Sequence, residues 1–178
     1  MDAGDFLAKA KANALFGFNG SDDYLFIGSC GTKTNYDYMG RCSDFYFSEL
    51  AFTRLGSSQS EIIGYSRVGE YLAIHKTSEA EDKTIYLRSV SLDANNELIF
   101  PVRQGVAGTG ALAVKSFASL RDDPLFLSEF GVVALATNDI TNVQSIQDRG
   151  YYINKRLLTE TNLDLAVATI HEDRKSTR

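Results

Sequence analysis

The chain has no tryptophan, two cysteines, two prolines, two methionines and two histidines in 178 residues. Each scarcity excludes something. Cys30 and Cys42 are too few for a disulfide-rich secreted scaffold. The expectation is two reduced thiols on neighbouring strands, and the alternative is one bridge closing the 30–42 loop. There is no C-x-x-C, and only His75 and His171 could assist, so a zinc site of the usual spacing has no ligands. Without tryptophan, the Asp-box of a sialidase-type propeller loses its aromatic. No G-x-S-x-G elbow occurs, so an α/β-hydrolase triad has no anchor. No run of 18 apolar residues exists, so no membrane span is expected. Residues 1–15 carry Asp2, Asp5, Lys9 and Lys11 without an apolar run of signal length, which leads us to expect synthesis and folding in a cytoplasm. Basic charge is also short. Lys plus Arg is 18 against 23 Asp plus Glu, a net charge of −5. A protein that binds nucleic acid by neutralising phosphates would show the opposite balance.

What is present reads as a globular β protein. Hydrophobic residues make up 44% and charged residues 23%, which excludes wholesale disorder. At this length folding buries roughly 70% of the unfolded surface, enough for a core without metals or disulfides. Early acids, recurring alanines and the stripe Phe6, Leu7, Ala10, Ala14 and Leu15 predict a short N-terminal helix. Residues 1–20 therefore read as a helical lead-in, and 21–178 as a β domain. Beyond Gly17 to Asp23, short runs of aromatic and β-branched residues alternate with turn residues. The predicted strands are 24–29, 44–48, 61–67, 71–76, 84–91, 97–102, 111–117, 125–128, 132–136, 142–146, 151–154 and 165–170. Such spacing suits an antiparallel meander, because βαβ crossovers need a dozen or more residues.

Two units stand out. The first spans 61–102, with turns at Val68-Gly69-Glu70 and Asp93-Ala94-Asn95-Asn96 and a polar loop over 77–83. The second spans 111–147 and turns at Glu129-Phe130-Gly131. Each holds four strands and has roughly the length of one β-propeller blade. Partial units flank them. The expected fold is all-β: antiparallel four-stranded meanders forming a partial β-propeller. Closure takes four or more blades, so we expect a segment of a longer protein or a split gene product. An exposed or intermolecularly paired strand is expected over 165–170.

Candidate chemistry is sparse. Gly108-x-Gly110-x-x-Ala113 matches a dinucleotide fingerprint. The acidic residue that should follow some 20 positions on is missing, and an inter-blade loop explains the glycines equally well. Asp22-Asp23 and Asp122-Asp123 sit at turns, where acids are ordinary turn formers. His75 and His171 read as exposed strand-end residues. Tyr36, Tyr38, Phe45, Tyr46, Phe47 and Phe52 fall within 17 residues and could stack on sugars or bases. Filling a β core is the commoner use. The residues nominate no catalytic, cofactor-binding or metal-binding position, and no cofactor.

Three stretches carry a resemblance. The first is Phe16-Gly17-Phe18-Asn19-Gly20-Ser21-Asp22-Asp23-Tyr24-Leu25-Phe26-Ile27-Gly28, with Asp44-Phe45-Tyr46-Phe47-Ser48 after it. The second is Ile62-Ile63-Gly64-Tyr65, then Gly69 to Lys76, then Thr84-Ile85-Tyr86. The third is Asp123-Pro124-Leu125-Phe126-Leu127-Ser128 with Gly131-Val132-Val133-Ala134-Leu135, preceded by Gly110-Ala111 and Lys115-Ser116-Phe117. Together they resemble β-propeller virion proteins of tailed bacteriophages, variously called tail tubular protein B, tail nozzle or DNA-stabilisation protein. The Asn-Pro loop of that pattern is missing here, where only Pro101 and Pro124 occur. The resemblance implies a non-enzymatic structural component of a phage or prophage tail or neck, in a ring below the portal. It implies a virion location after assembly in the bacterial cytoplasm, other tail or neck proteins and further copies of itself as partners, and no sequence-specific nucleic-acid binding. An acidic conduit would let duplex slide past instead of holding it. The alternatives are a host-surface or carbohydrate-binding propeller module, using Tyr36 and Tyr38, and a small nucleotide-binding enzyme built on the glycine loop.

Overall fold

The computed structural model describes residues 8–44, 46–78, 83–120, 123–137 and 144–170. The chain forms three consecutive four-stranded antiparallel sheets and one small hairpin. The first sheet is a meander of β1 (Ala10–Phe16), β2 (Tyr24–Cys30), β3 (Lys33–Arg41) and β4 (Tyr46–Arg54). The second comprises β5 (Ile62–Val68), β6 (Tyr71–Lys76), β7 (Thr84–Arg88) and β10 (Val102–Ala107), in the order β10-β7-β6-β5. Between β7 and β10 the chain detours through the hairpin β8 (Ser91–Leu92) and β9 (Leu98–Ile99). The third sheet is β11 (Ala118–Leu120), β12 (Asp123–Ser128), β13 (Gly131–Thr137) and β14 (Gln144–Asp148). A four-residue helix, α1 (Asn154–Leu157), follows.

The second sheet is the middle layer. Consecutive residues of β6 join different cores, as the period of two in a strand requires. Leu72 and Ile74 pack with Phe16, Phe26 and Ile62 in the core shared with the first sheet. Ala73 packs with Ile63, Val68, Ile85 and Leu87 in the core shared with the third, against Phe126, Val133 and Leu135. Burial on both faces explains why β5 to β7 read as nearly continuous apolar runs. Phe100, from the detour, closes the first core by setting its ring edge-on to Phe26 and Tyr24, with centroids 5.4 and 4.7 Å away. Gly28 lets the first two sheets approach closely. A Cβ there would stand 2.7 Å from both Ile62 Cγ2 and Tyr65 Oη.

Polar contacts clamp the layers at their margins. Lys11 Nζ donates to Glu61 Oε2 at 2.7 Å, Arg67 pairs with Asp22, and Lys83 pairs with Glu129. The buried Lys76 donates to Leu55 O and Ser57 O at 2.9 and 3.0 Å, fixing the link between the first and second sheets.

Several expectations need correction. No helix forms over 10–16, which is strand β1 and belongs to the first sheet; residues 1–7 lie outside the described residues. Ala12 and Phe16 are buried while Lys11, Asn13 and Leu15 are exposed, a period of two that alanine's helix preference masks. The stretch before residue 61 is a complete four-stranded sheet, so there are three such sheets where two complete units were expected. Strand β3 was missed because Asn35, Asp37 and Gly40 punctuate it. Around residue 100 the fourth strand of the first expected unit is Val102–Ala107, and residues 97–101 belong to the detour. Residues 111–117 are irregular, tied by Leu112 N–H to Leu127 O at 2.9 Å. The expected strand over 151–154 is a turn running into α1. There the Asn154 side chain accepts from Val132 N–H at 3.0 Å and donates to Asp148 Oδ1 at 2.8 Å, and those bonds turn the chain out of the sheet. The expected strand over 165–170 does not form: Leu163–Leu165 is a 3-10 turn, and residues 166–170 carry no regular structure and belong to no sheet. No closed barrel or propeller forms among the described residues. The turns at Val68-Gly69-Glu70, Glu129-Phe130-Gly131 and Asp93 to Asn96 stand where expected; Asp93 Oδ1 caps the last by accepting from Asn95 and Glu97 N–H at 2.8 Å.

The thiols are free. Cys30 ends β2, whereas Cys42 lies beyond β3 and donates its N–H to Asp23 O, before the start of β2. The pair therefore sits at opposite ends of one hairpin, about 20 Å apart along the strands, too far for a disulfide. Burial, and then the charge of Asp37, push the Cys30 thiol up to about 11. Native-state titration with a thiol reagent at pH 8 should modify Cys42 rapidly and Cys30 only on unfolding. Two fast thiols would contradict this arrangement.

Candidate functional site

Strand β3 carries the most unusual side chain in the molecule. Asp37 points from the first sheet into the seam with the second and is fully buried. Arg88, from the end of β7, donates through Nη2 to Asp37 Oδ2 at 2.6 Å and is itself 2% exposed. Tyr65, from β5, donates its hydroxyl to Asp37 Oδ1 at 2.7 Å. The Arg88 guanidinium also lies over the Phe26 ring, 4.5 Å from its centroid. Three strands from two sheets thus meet at one carboxylate. Desolvation raises the Asp37 carboxyl from 3.8 to about 6, against the opposing pull of Arg88 and of the Tyr65 hydrogen bond. Each carboxylate oxygen is engaged by a donor from the second sheet, Oδ1 by Tyr65 and Oδ2 by Arg88. Its work is positional: it sets the first sheet on the second.

Above this cluster lies an open groove of about 270 Å³ between β4 and the β8–β9 hairpin. Met39, Leu50, Ala51, Leu98, Ile99 and Phe100 line it, with Asp37 and Arg88 at the floor. A neighbouring hollow of about 350 Å³ shares Met39, Ala51 and Leu98 and reaches Tyr24, Arg41 and Tyr46.

His75 forms a second buried titratable site, in the other seam. It is fully buried, contrary to the expected exposed strand end. Its ring packs against Phe117 and Phe126, with centroids 4.9 and 4.6 Å away, and Nε2 is 2.7 Å from Ser66 Oγ. Burial lowers its pKa to about 3, so it stays neutral and cannot serve as a base near pH 7.

The remaining motifs resolve into structure. After β10 the glycine loop leads into irregular chain and then β11, so no helix N-terminus awaits a pyrophosphate there. Gly110 serves close approach: a Cβ would lie 2.6 Å from the Thr77 and Ser78 backbone, and Ala111 N–H donates to Lys76 O at 2.9 Å. Asp22 pairs with Arg67, and Asp123 pairs with Arg149 at 2.6 Å; Asp122 and His171 lie outside the described residues. Tyr38 is 1% exposed and packs with Tyr36 and Phe52, while Lys33 and Arg54 stand over the Tyr36 ring at 5.4 and 5.2 Å. These two tyrosines form a packed cluster, not an open platform; Phe45 lies outside the described residues. Among the described residues no three of His, Cys, Asp and Glu come together as metal ligands. No described helix is long and apolar enough to cross a membrane. A sequence scan could have flagged Asp37 only through its place among tyrosines in an otherwise strand-like run.

Two measurements test the buried groups. Arg88→Met strands a buried carboxylate and should cost about 3–5 kcal/mol in urea unfolding, whereas Asp37→Leu with Arg88→Met should cost less than that single change. The pH response has a defined sign. Asp37, raised on folding, contributes stability that is full below about pH 4 and is lost as pH rises through 6. His75, lowered on folding, contributes stability that is full above about pH 6.5 and is lost as pH falls towards 3. Between pH 4 and 6 the two oppose each other. His75→Phe should therefore flatten the acid limb of the stability profile, and an unchanged limb would contradict its neutral burial.

No protein-family model matches the chain, and a comparison with the curated proteins finds no match either.

Proposed function

We propose that the chain is a non-enzymatic structural component of a bacteriophage or prophage tail or neck. In this reading the three sheets are successive propeller blades, and copies of the protein assemble into a ring below the portal. One observation carries it: three consecutive four-stranded meanders, starting at residues 10, 62 and 118, stack face to face, with strands β5 to β7 of the middle one buried on both sides. Repeats of that length and packing suit propeller blades. The resemblance of 16–28, 62–86 and 110–135 to tail propeller proteins then supplies the setting. The buried charge fits the same role. Asp37 and Arg88 lock two layers together, as a rigid conduit requires.

The test is incorporation. Particles induced from the strain that encodes the chain should contain it at fixed stoichiometry by quantitative mass spectrometry. Immunogold labelling should mark the tail or neck end of each particle. Purified, infectious particles that lack the protein would overturn the proposal.

A further inference from the structure

The turn between β14 and α1 holds the two most exposed tyrosines of the described chain on a fixed backbone. Tyr151 and Tyr152 are 77% and 95% exposed, and their rings meet edge to face at 5.3 Å. Ile153 beside them is 57% exposed. Phe130 is exposed on the adjacent β12–β13 turn, where Gly131 abuts the Asn154 side chain. Asp148 Oδ1 accepts from Gly150 N–H and from the Asn154 amide, both at 2.8 Å. The N–H groups of Ile153 and Asn154 donate to Gly150 O at 2.8 and 2.7 Å. Rigid aromatic side chains of this kind lose little freedom on being buried, which makes them effective anchors. Their surroundings are basic. Residues 149–156 include Arg149, Lys155 and Arg156 and no acid, in a chain of net charge −5.

The hollows between β4 and the β8–β9 hairpin have the opposite character. They are concave, and Leu50, Leu98 and Ile99 give them an apolar wall. Asp44, Glu49, Asp93 and Glu97 lie on the segments that flank them, against Arg41 and Arg54, while buried Asp37 and Arg88 cancel each other.

We propose that the Tyr151-Tyr152-Ile153 turn of one copy seats in the β4–hairpin hollows of a second copy, with Lys155 and Arg156 facing Asp44 and Glu97. An apolar centre with a charged rim is the usual anatomy of a specific contact, and the opposite charges fix its orientation. Each buried tyrosine removes about 150–250 Å² from water. The pair thus supplies roughly half of the ~800 Å² that a standard contact buries on each partner. A copy does not fill its own hollows. Asn154 bonds the turn to the third sheet, and the second sheet lies between that sheet and the first. The contact joins two different patches, so repeating it generates a closed ring or an open filament. The inference deepens the ring assembly proposed above and rests on that reading only for closure.

The test uses the whole chain. Wild type should self-associate in sedimentation equilibrium, and Tyr152→Ala should raise the dissociation constant about tenfold or more. Lys155→Glu with Arg156→Glu should weaken association, as should Asp44→Lys with Glu97→Lys, and the four changes together should restore it. All five side chains are exposed in the single copy, so the variants should keep the wild-type melting temperature. In a Cys42→Ser background, a mixture of Tyr152→Cys and Ile99→Cys copies should give mixed covalent dimers on mild oxidation, above the yield of either alone. Wild-type association in every variant, or no enrichment of the mixed dimer, overturns the contact. A wild type that stays monomeric but sediments with phosphatidylglycerol vesicles overturns it in favour of a membrane surface. Labelled virions with unaffected variants overturn only this contact; the expected association in a protein absent from virions overturns only the tail reading.

Discussion

Strands β5 to β7 of the second sheet are covered on both faces, and the rest of the architecture follows from that constraint. Leu72 and Ile74 point one way from β6 and Ala73 the other, into separate cores. Neither flanking sheet can be removed without exposing one side of a strand whose residues are nearly all apolar. The margins repeat the logic in polar form, with Lys11–Glu61 and Arg67–Asp22 on one side and Lys83–Glu129 on the other. Two glycines serve the packing: Gly28 makes room for the Ile62 and Tyr65 side chains, and Gly110 for the Thr77 and Ser78 backbone.

Within this frame the Asp37–Arg88–Tyr65 cluster fixes how the first layer sits. Apolar packing alone tolerates sliding, because it is non-directional. A buried carboxylate with two donors from different strands tolerates very little, since any shift strands a charge in a dry seam. The raised Asp37 pKa measures the cost of that arrangement. His75 in the opposite seam makes a different choice. It remains neutral against two phenylalanine rings and contributes shape and one hydrogen bond. The two seams therefore answer acid in opposite senses.

The outer sheets differ in what ends them: β4 is the edge of the first, and β14 the edge of the third. The buried polar groups Asp37, Arg88, His75 and Lys76 are each held by contacts within or between the sheets.

The sequence alone determined the strand character of most of the chain, the meander order and several turns, because alternation and turn residues are local signals. It carried β5, β6, β7, β12 and β13 almost to their boundaries. It misled at Ala10–Phe16, where alanine favours helix until a neighbouring strand offers a ladder. It hid β3 behind Asn35 and Asp37, polar residues that a strand accepts only when a partner layer supplies their bonds. The burial of His75, the meeting of Asp37 with Arg88 across 51 residues, and the failure of 166–170 to find a sheet were decided by tertiary structure. Each depends on which layer lies opposite, and that is a property of distant segments which no local pattern encodes.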